Sequence, residues 1–346
     1  MTVTSLGPSV LEHVISGGQL SRSEARVLLL AMVDSEILPE TAAGILVALR
    51  MRGETSDEAL GFRDGLMERA LLLETAPRVL LDTCGTGGDK SGTFNISTAV
   101  ALTVASCGVA VAKHGNRSVS SRSGSTDVLE AAGVPMQGVS LSVLDRALGQ
   151  LGIALMHAPN HHPVLATLGP VRRALGVMTL FNLMGPLINP APLTHQMMGV
   201  PRKSALELLA PVCEARGIPT LILHSSSGAD EALPGYSFHV KHVRPGKPTL
   251  TETCEPDQFG VHEIDARELN GGAPEENAAM LIQLLDGQGT HGLVEAVALN
   301  AGLALHHTEA SDSVQGGVSM ARAALRQGAP GKLLREYRQL IQGAMT

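Results

Sequence analysis

The sequence predicts an α/β protein: a small all-helical N-terminal domain over residues 1–72, then a large α/β domain over 73–346 with a central, mostly parallel sheet flanked by helices. Three observations predict it. Residues 1–72 carry helical spacing and two helix-start signatures. Residues near 79–115 read strand, glycine loop, helix, strand. The same helix–strand alternation then recurs as far as "TLILHS".

The helical domain reads as about four helices. In "SRSEARVLLLAM", Ser21 stands three before Glu24; in "TSDEALGFRDGLMERA", Thr55 stands three before Glu58. Each fits a capping box, in which the two side chains close free N–H groups at a helix start. Between them, "PETAAGILVALRMRG" begins with a proline and stops at a glycine. The α/β domain opens with the strand "RVLLDTCG", a glycine loop, the helix "STAVALTVASCG" and the strand "VAVAKHG". That is a βαβ unit with its glycine loop at a strand's carboxyl end. "TDVLEAAG" and "SLSVLDRALGQLG" read as helices, "IALMHAP" as a strand, and "SALELLAPVCEARG" with "TLILHS" as helix then strand. From about residue 272 the chain is mostly helical.

Composition narrows the function. The 346 residues are 44% hydrophobic, so a large core is available and two domains are expected. Aromatics are 2% and the net charge is −7, which disfavours stacking on single strands and binding to polyanions; no nucleic-acid partner is expected. The four cysteines, Cys84, Cys107, Cys213 and Cys254, form no C-x-x-C pair and read as buried thiols of a reducing cytoplasm. The N-terminus lacks the basic and apolar regions of a secretory signal. The longest apolar stretch, "AVALTVASCGVAVA", is too short and polar to span a bilayer, so no membrane association is expected.

The segment "DTCGTGGDKSGTFNIST" has almost no large side chains. Placed before a helix, it offers unpaired N–H groups and the positive end of the helix dipole, a site for anions. Gly85, Gly87 and Gly88 carry no Cβ and let phosphate oxygens approach the backbone. A Walker A loop fails because Gly92 is followed by Thr93 rather than lysine. The dinucleotide fingerprint fails because Lys90 stands where its third glycine belongs. Asp89 would repel phosphate unless it accepts from ligand hydroxyls, shapes the loop or faces a metal. Asn95, Ser97 and Thr98 supply short polar groups that could cap the helix or touch a ligand.

A second polar loop, "AKHGNRSVSSRSGSTD", follows the next strand with Lys113, Arg117, Arg122 and five serines. Two anion-friendly loops at neighbouring strand ends suggest a ligand with two separate phosphates. After "TLILHS", Asp230 and Glu231 form an acidic pair at another strand end, a candidate Mg²⁺ site. His157 and His161 have helical metal-ligand spacing, but Pro159 between them is expected to break a helix, and zinc is not expected. Arg172 and Arg173 are expected to start a helix after Pro170. An arginine facing a cleft suits a carboxylate.

Together the motifs "GTGGDKSGTFNIST", "KHGNRSVSSRSGSTD", "APNHHP", "PVRRALG" and "FNLMGPLINPA" make the chain resemble the anthranilate phosphoribosyltransferases, enzymes of tryptophan biosynthesis. The order and spacing match over nearly the whole length. The resemblance implies the nucleoside phosphorylase/phosphoribosyltransferase class of fold. It also implies transfer of the 5-phosphoribosyl group of phosphoribosyl pyrophosphate (PRPP) to the amino group of anthranilate, with Mg²⁺, two ions, assisting pyrophosphate departure.

By the resemblance, Gly85, Gly88, Asp89, Thr93, Asn95, Ser97, Thr98, Lys113 and Ser125 contact PRPP. Ser97, Asp230 and Glu231 form the metal shell. Asn116 and Arg172 contact anthranilate, Arg172 at its carboxylate. Lys113, Asp230 and Glu231 are the expected catalytic residues: Lys113, with the Mg²⁺ that the acidic pair holds, neutralises the departing pyrophosphate; His114 is a weaker candidate for a base. A cytoplasmic homodimer through the helical domain is implied, with a middle segment around 170–190 joining that domain. Three stretches depart from the family pattern: "SGADE" replaces "DGLDE", "ALPGYSFHV" replaces "ISxxGPT", and Met178 replaces the arginine after "LGV".

Three other readings compete. A transferase of this fold could use another aromatic amine. A pyrimidine nucleoside phosphorylase would use free phosphate and a nucleoside. A non-catalytic nucleic-acid-binding relative would show a damaged phosphate loop and a basic surface, and this chain shows neither.

Overall fold

A computed structural model describes residues 3–88, 92–117 and 122–345. The chain begins with four helices: α1 (Val3–Ile15), α2 (Arg22–Val33), α3 (Pro39–Arg52) and α4 (Ser56–Glu68). Both expected capping boxes form. The Ser21 side chain accepts from the Glu24 N–H, and the Thr55 side chain accepts from the Glu58 N–H. Pro39 starts α3, where its missing N–H costs nothing, and Gly53 with φ +93° ends it.

The α/β part follows as β1 (Leu80–Asp82), α5 (Ile96–Ser106), β2 (Ala110–Gly115), α6 (Ser125–Ala131), α7 (Leu141–Leu151) and β3 (Ile153–His157). Next come α8 (Ala158–His161), α9 (Leu165–Leu175), α10 (Leu180–Leu187), β4 (His195–Gly199), α11 (Lys203–Arg216) and β5 (Thr220–Ser225). The chain ends with β6 (Phe238–Val243), β7 (Leu250–Cys254), α12 (Pro274–Gln283), α13 (His291–His307), α14 (Val314–Arg326) and α15 (Ala329–Met345).

Among the described residues seven strands form one sheet in the order β3-β2-β1-β4-β5-β6-β7. The first five are parallel; β6 and β7 extend the sheet antiparallel. The order reverses at β1, whose neighbours are β2 and β4. Ligands of open α/β sheets bind at such a reversal, beyond the strands' carboxyl ends. The glycine loop leaves β1 there. The helix that follows it, α5, is buried at Ile96 and from Thr98 to Ala105. Its amino end is therefore held rigidly by the core.

Helices α9 and α10 pack against α2, α3 and α4, sharing one apolar core. Phe62 of α4 meets Phe181 of α10 with ring centroids 5.5 Å apart. Two proline expectations need correction. Pro159 does not prevent a helix: it lies in the first turn of α8, where proline is tolerated. Pro170 lies inside α9 rather than ahead of it, so Arg172 and Arg173 fall in the last turn.

Candidate active site

Strand β1 ends in Asp82, a fully buried carboxylate. It accepts from the His114 N–H at 3.4 Å and from Gln196 Nε2 at 3.1 Å. Burial pushes its pKa up, and the nearby charge of Lys113 opposes that rise. Lys113, on β2, is 4% exposed and lies along the sheet beneath the loops. Its Nζ donates to Thr83 O and to Ser97 Oγ, each at 3.2 Å. One ammonium thus reaches both the start of the glycine loop and the first turn of α5.

The glycine loop turns through positive φ at Gly87 (+65°) and Gly88 (+81°), a backbone that favours glycine. The Gly87 N–H donates to Asp230 Oδ2 at 3.0 Å. A Cβ on residue 85 would meet that same oxygen at 2.6 Å. Asp230 therefore seats on the loop it faces. At Gly88 a Cβ would lie 3.0 Å from Met178 Cε, so the Met178 departure reaches the glycine loop. The acidic pair is held from behind by the buried Asn300 of α13. Its Oδ1 accepts from the Ala232 N–H at 3.1 Å, and its Nδ2 donates to Ala232 O at 2.7 Å.

On the β2 side, Ser125 Oγ donates to Asn116 O at 3.4 Å, closing the second loop at the start of α6. Arg117 pairs with Asp127 at 2.8 Å and with Glu130. Its charge is thus spent on α6, while the exposed Arg122 lines the cavity. The histidines serve as fasteners. His157 pairs with Thr126 Oγ1 at 3.0 Å, His161 with Leu71 O at 3.1 Å and His162 with Ile188 O at 2.7 Å. His114 pairs through Nδ1 with Gly185 O at 2.9 Å. Burial, then the charge of His162, brings its pKa down to about 3, so the ring is neutral.

These elements enclose a cavity of about 320 Å³. The loop residues Gly85, Gly88, Thr93, Asn95 and Ser97 line it. So do Lys113, Asn116 and Ser125 from the β2 side, Arg172 from α9, and the pair Asp230 and Glu231. Thr98, fully buried in the first turn of α5, is not part of that wall. Asp89 lies outside the described residues. Arg172 stacks its guanidinium 5.2 Å from the Phe181 ring centroid, and burial pushes its pKa down. It makes no ion pair among the described residues. Such a cation favours an anionic ligand. Behind the cavity, Ser97, Asp230, Glu231 and Asn300 help line a smaller pocket of about 20 Å³. Sequence reading missed Asn300 and Asn277, which also lines the main cavity.

Comparison with known proteins agrees with this geometry. Residues 77–330 match the glycosyl transferase family, a/b domain, and residues 8–70 match the glycosyl transferase family, helical bundle domain. Anthranilate phosphoribosyltransferase of Methanopyrus kandleri is 41% identical over 325 residues, covering 92% of this chain and 96% of the relative. That of Deinococcus radiodurans is 38% identical, covering 96% of this chain and 97% of its own. The crystal structure of the Thermus thermophilus enzyme superposes with a TM-score of 0.90 at 39% identity, over 96% of this chain and 99% of that one. The Saccharomyces cerevisiae enzyme, in complex with PRPP and Mg, shares the fold with a TM-score of 0.90 at 23% identity, over 98% of each chain. The chain belongs to the anthranilate phosphoribosyltransferases of the glycosyl transferase family.

Proposed function

We propose that the chain transfers the 5-phosphoribosyl group of PRPP to the amino group of anthranilate, giving N-(5-phosphoribosyl)anthranilate and pyrophosphate, in tryptophan biosynthesis. The observation that carries this reading is the convergence of two anion loops, Lys113, an acidic pair and Arg172 on one cavity.

Each loop takes one phosphorylated end of PRPP. Gly85, Gly88, Thr93, Asn95 and Ser97 serve the β1 side and Ser125 the β2 side; Lys113, rooted on β2, reaches the β1 side through Thr83 O and Ser97 Oγ. Asp89 and Thr98 are assigned to the donor on the sequence motif alone. The Arg172 fork takes the anthranilate carboxylate, and Asn116 holds the ring's polar edge. Displacement at ribose C1 passes through an oxocarbenium-like state. Lys113 neutralises the departing pyrophosphate in a site where charges act strongly. His114, held neutral against Gly185 O, orients the wall rather than acting as the base.

Ser97, Asp230 and Glu231 would hold Mg²⁺. The fit is supported by their hard oxygen donors and by their common place on the wall of the main cavity. Mg²⁺ supplies charge neutralisation at the diphosphate. Two ions, shared with the diphosphate, are the proposed stoichiometry. We also propose a cytoplasmic homodimer through the helical domain, residues 1–72 with the segment around 170–190. Exposed apolar side chains there, Ile15, Leu38 and Met51, support it. No helix among the described residues is long and apolar enough to cross a membrane.

The test is pyrophosphate release from PRPP with anthranilate and with a panel of other aromatic amines, and, as control, release of free base from thymidine or uridine with phosphate. Release with anthranilate alone is expected. Release only with another amine would reassign the acceptor, and phosphorolysis of the nucleosides would overturn the transferase reading.

A further inference from the structure

We propose that Asn277 is a positioning residue that fixes the spacing between the two anion loops, so that both ends of PRPP are gripped at once. The proposal rests on the donor reading above. Asn277 lies in α12, remote in sequence from both loops, and is 1% exposed. Its Oδ1 accepts from the Gly272 N–H at 2.7 Å. That N–H can only donate, so the amide orientation is fixed and Nδ2 must face the loops. Nδ2 donates to Asn95 Oδ1 at 3.0 Å and to Ser123 Oγ at 2.7 Å. Asn95 closes the β1 loop and Ser123 lies in the β2 loop. Both N–H donors of one amide are thus used, one on each loop.

Between Asn95 and Ser123 themselves the direct contacts are longer. Ser123 Oγ reaches Asn95 Oδ1 at 3.4 Å, and Asn95 Nδ2 reaches Ser123 O at 3.5 Å, the outer limit of a hydrogen bond. The platform beneath Asn277 is itself tied to the β1 loop. Gly271 N–H donates to Gly92 O at 2.8 Å, and Phe94 N–H donates to Leu269 O at 2.8 Å. A Cβ at Gly271 would lie 2.8 Å from Thr93 O and 3.0 Å from Asn277 Nδ2, so this approach requires glycine.

A ligand with two joined ends gains affinity only when its two subsites stand at the right separation. Loss of the Asn277 bridge therefore weakens a ligand that spans both loops more than a fragment held by one. A merely structural role would weaken every ligand together. Calorimetry with Mg²⁺ separates these, using PRPP, inorganic pyrophosphate and ribose 5-phosphate on the intact chain, Asn277→Ala and Asn277→Leu. The leucine keeps the volume and adds no charge beside the phosphates but cannot donate to the loops, so it carries the comparison if the alanine variant fails to fold. PRPP is expected to bind about tenfold or more weaker in the variants, with each fragment changed by less than about threefold. Fragments weakened as much as PRPP, or PRPP unchanged, would overturn the positioning role alone. An unmodified chain that does not bind PRPP would overturn the donor reading and this proposal with it.

Discussion

Gly85 and Asp230 fit together: a Cβ on residue 85 would stand 2.6 Å from Asp230 Oδ2, the oxygen that accepts from the Gly87 N–H at 3.0 Å. The first glycine of the β1 loop thus makes room for a carboxylate from the segment after β5. In the sequence that glycine is expected to let phosphate approach the backbone. The structure adds a second reason, which joins the donor loop to the proposed metal pair.

Gly85→Ala is therefore expected to displace Asp230 and the loop together. Overpacking of this kind costs about 1–3 kcal/mol of stability. A shift of about 1 Å at a reacting centre can cost about a hundredfold in rate. Thermal denaturation and kcat/KM at varied Mg²⁺ check it; full activity at unchanged Mg²⁺ would contradict the seating.

Glu231→Ala is expected to raise the Mg²⁺ needed for half-maximal rate by more than about tenfold, and Asn300→Ala, which frees the backbone of Ala232, by about tenfold. A metal titration of initial rates reads both. Unaltered Mg²⁺ dependence in Glu231→Ala would remove it from the metal shell.

Arg172→Ala is expected to raise KM for anthranilate with little change in KM for PRPP. Charge-assisted hydrogen bonds contribute about 1.5–3 kcal/mol, roughly tenfold to a hundredfold. Equal loss for both substrates would show that Arg172 acts on the fold rather than on the acceptor.

Acid is expected to destabilise the protein through buried histidines. Burial brings His114 and His307 down to about 3, with His162 and His195 adding to the respective shifts. The unfolded rings take a proton near pH 6.5. Because the folded-state values are depressed, this stabilisation is complete above about pH 6.5 and is lost as pH falls toward 3. Each ring costs about 1.4 kcal/mol per pH unit in that window. Urea denaturation at pH 7.5 and 5.0 checks it. His307→Gln, which can still donate to Pro219 O, is expected to lose less stability between the two; an equal loss would contradict the assignment.

Local signals carried much of the fold and the loops. Ser21 with Glu24 and Thr55 with Glu58 lie within one helical turn, so their capping boxes are visible in sequence. The glycine loop is visible because phosphate-binding backbone needs small residues in one run. Strand β4 was not legible: "HQMMG" has no β-branched residue. The edge strand β7, "LTETC", exposes its first four side chains and so lacks an apolar alternation. Asn277 and Asn300 carried no signal, because the site residues they hold, Asn95, Ser123 and Ala232, lie 182, 154 and 68 residues away and meet them only once the sheet is assembled. Arg117 read as an anion-binding cation; its partners Asp127 and Glu130 follow on α6, and its charge turns to them.

The most direct test of the central claim is anthranilate fluorescence followed in the presence of PRPP and Mg²⁺, then with excess EDTA. A fall in fluorescence that EDTA abolishes is expected. Persistent fluorescence, with PRPP bound by calorimetry and Mg²⁺ in excess, would contradict anthranilate as the acceptor.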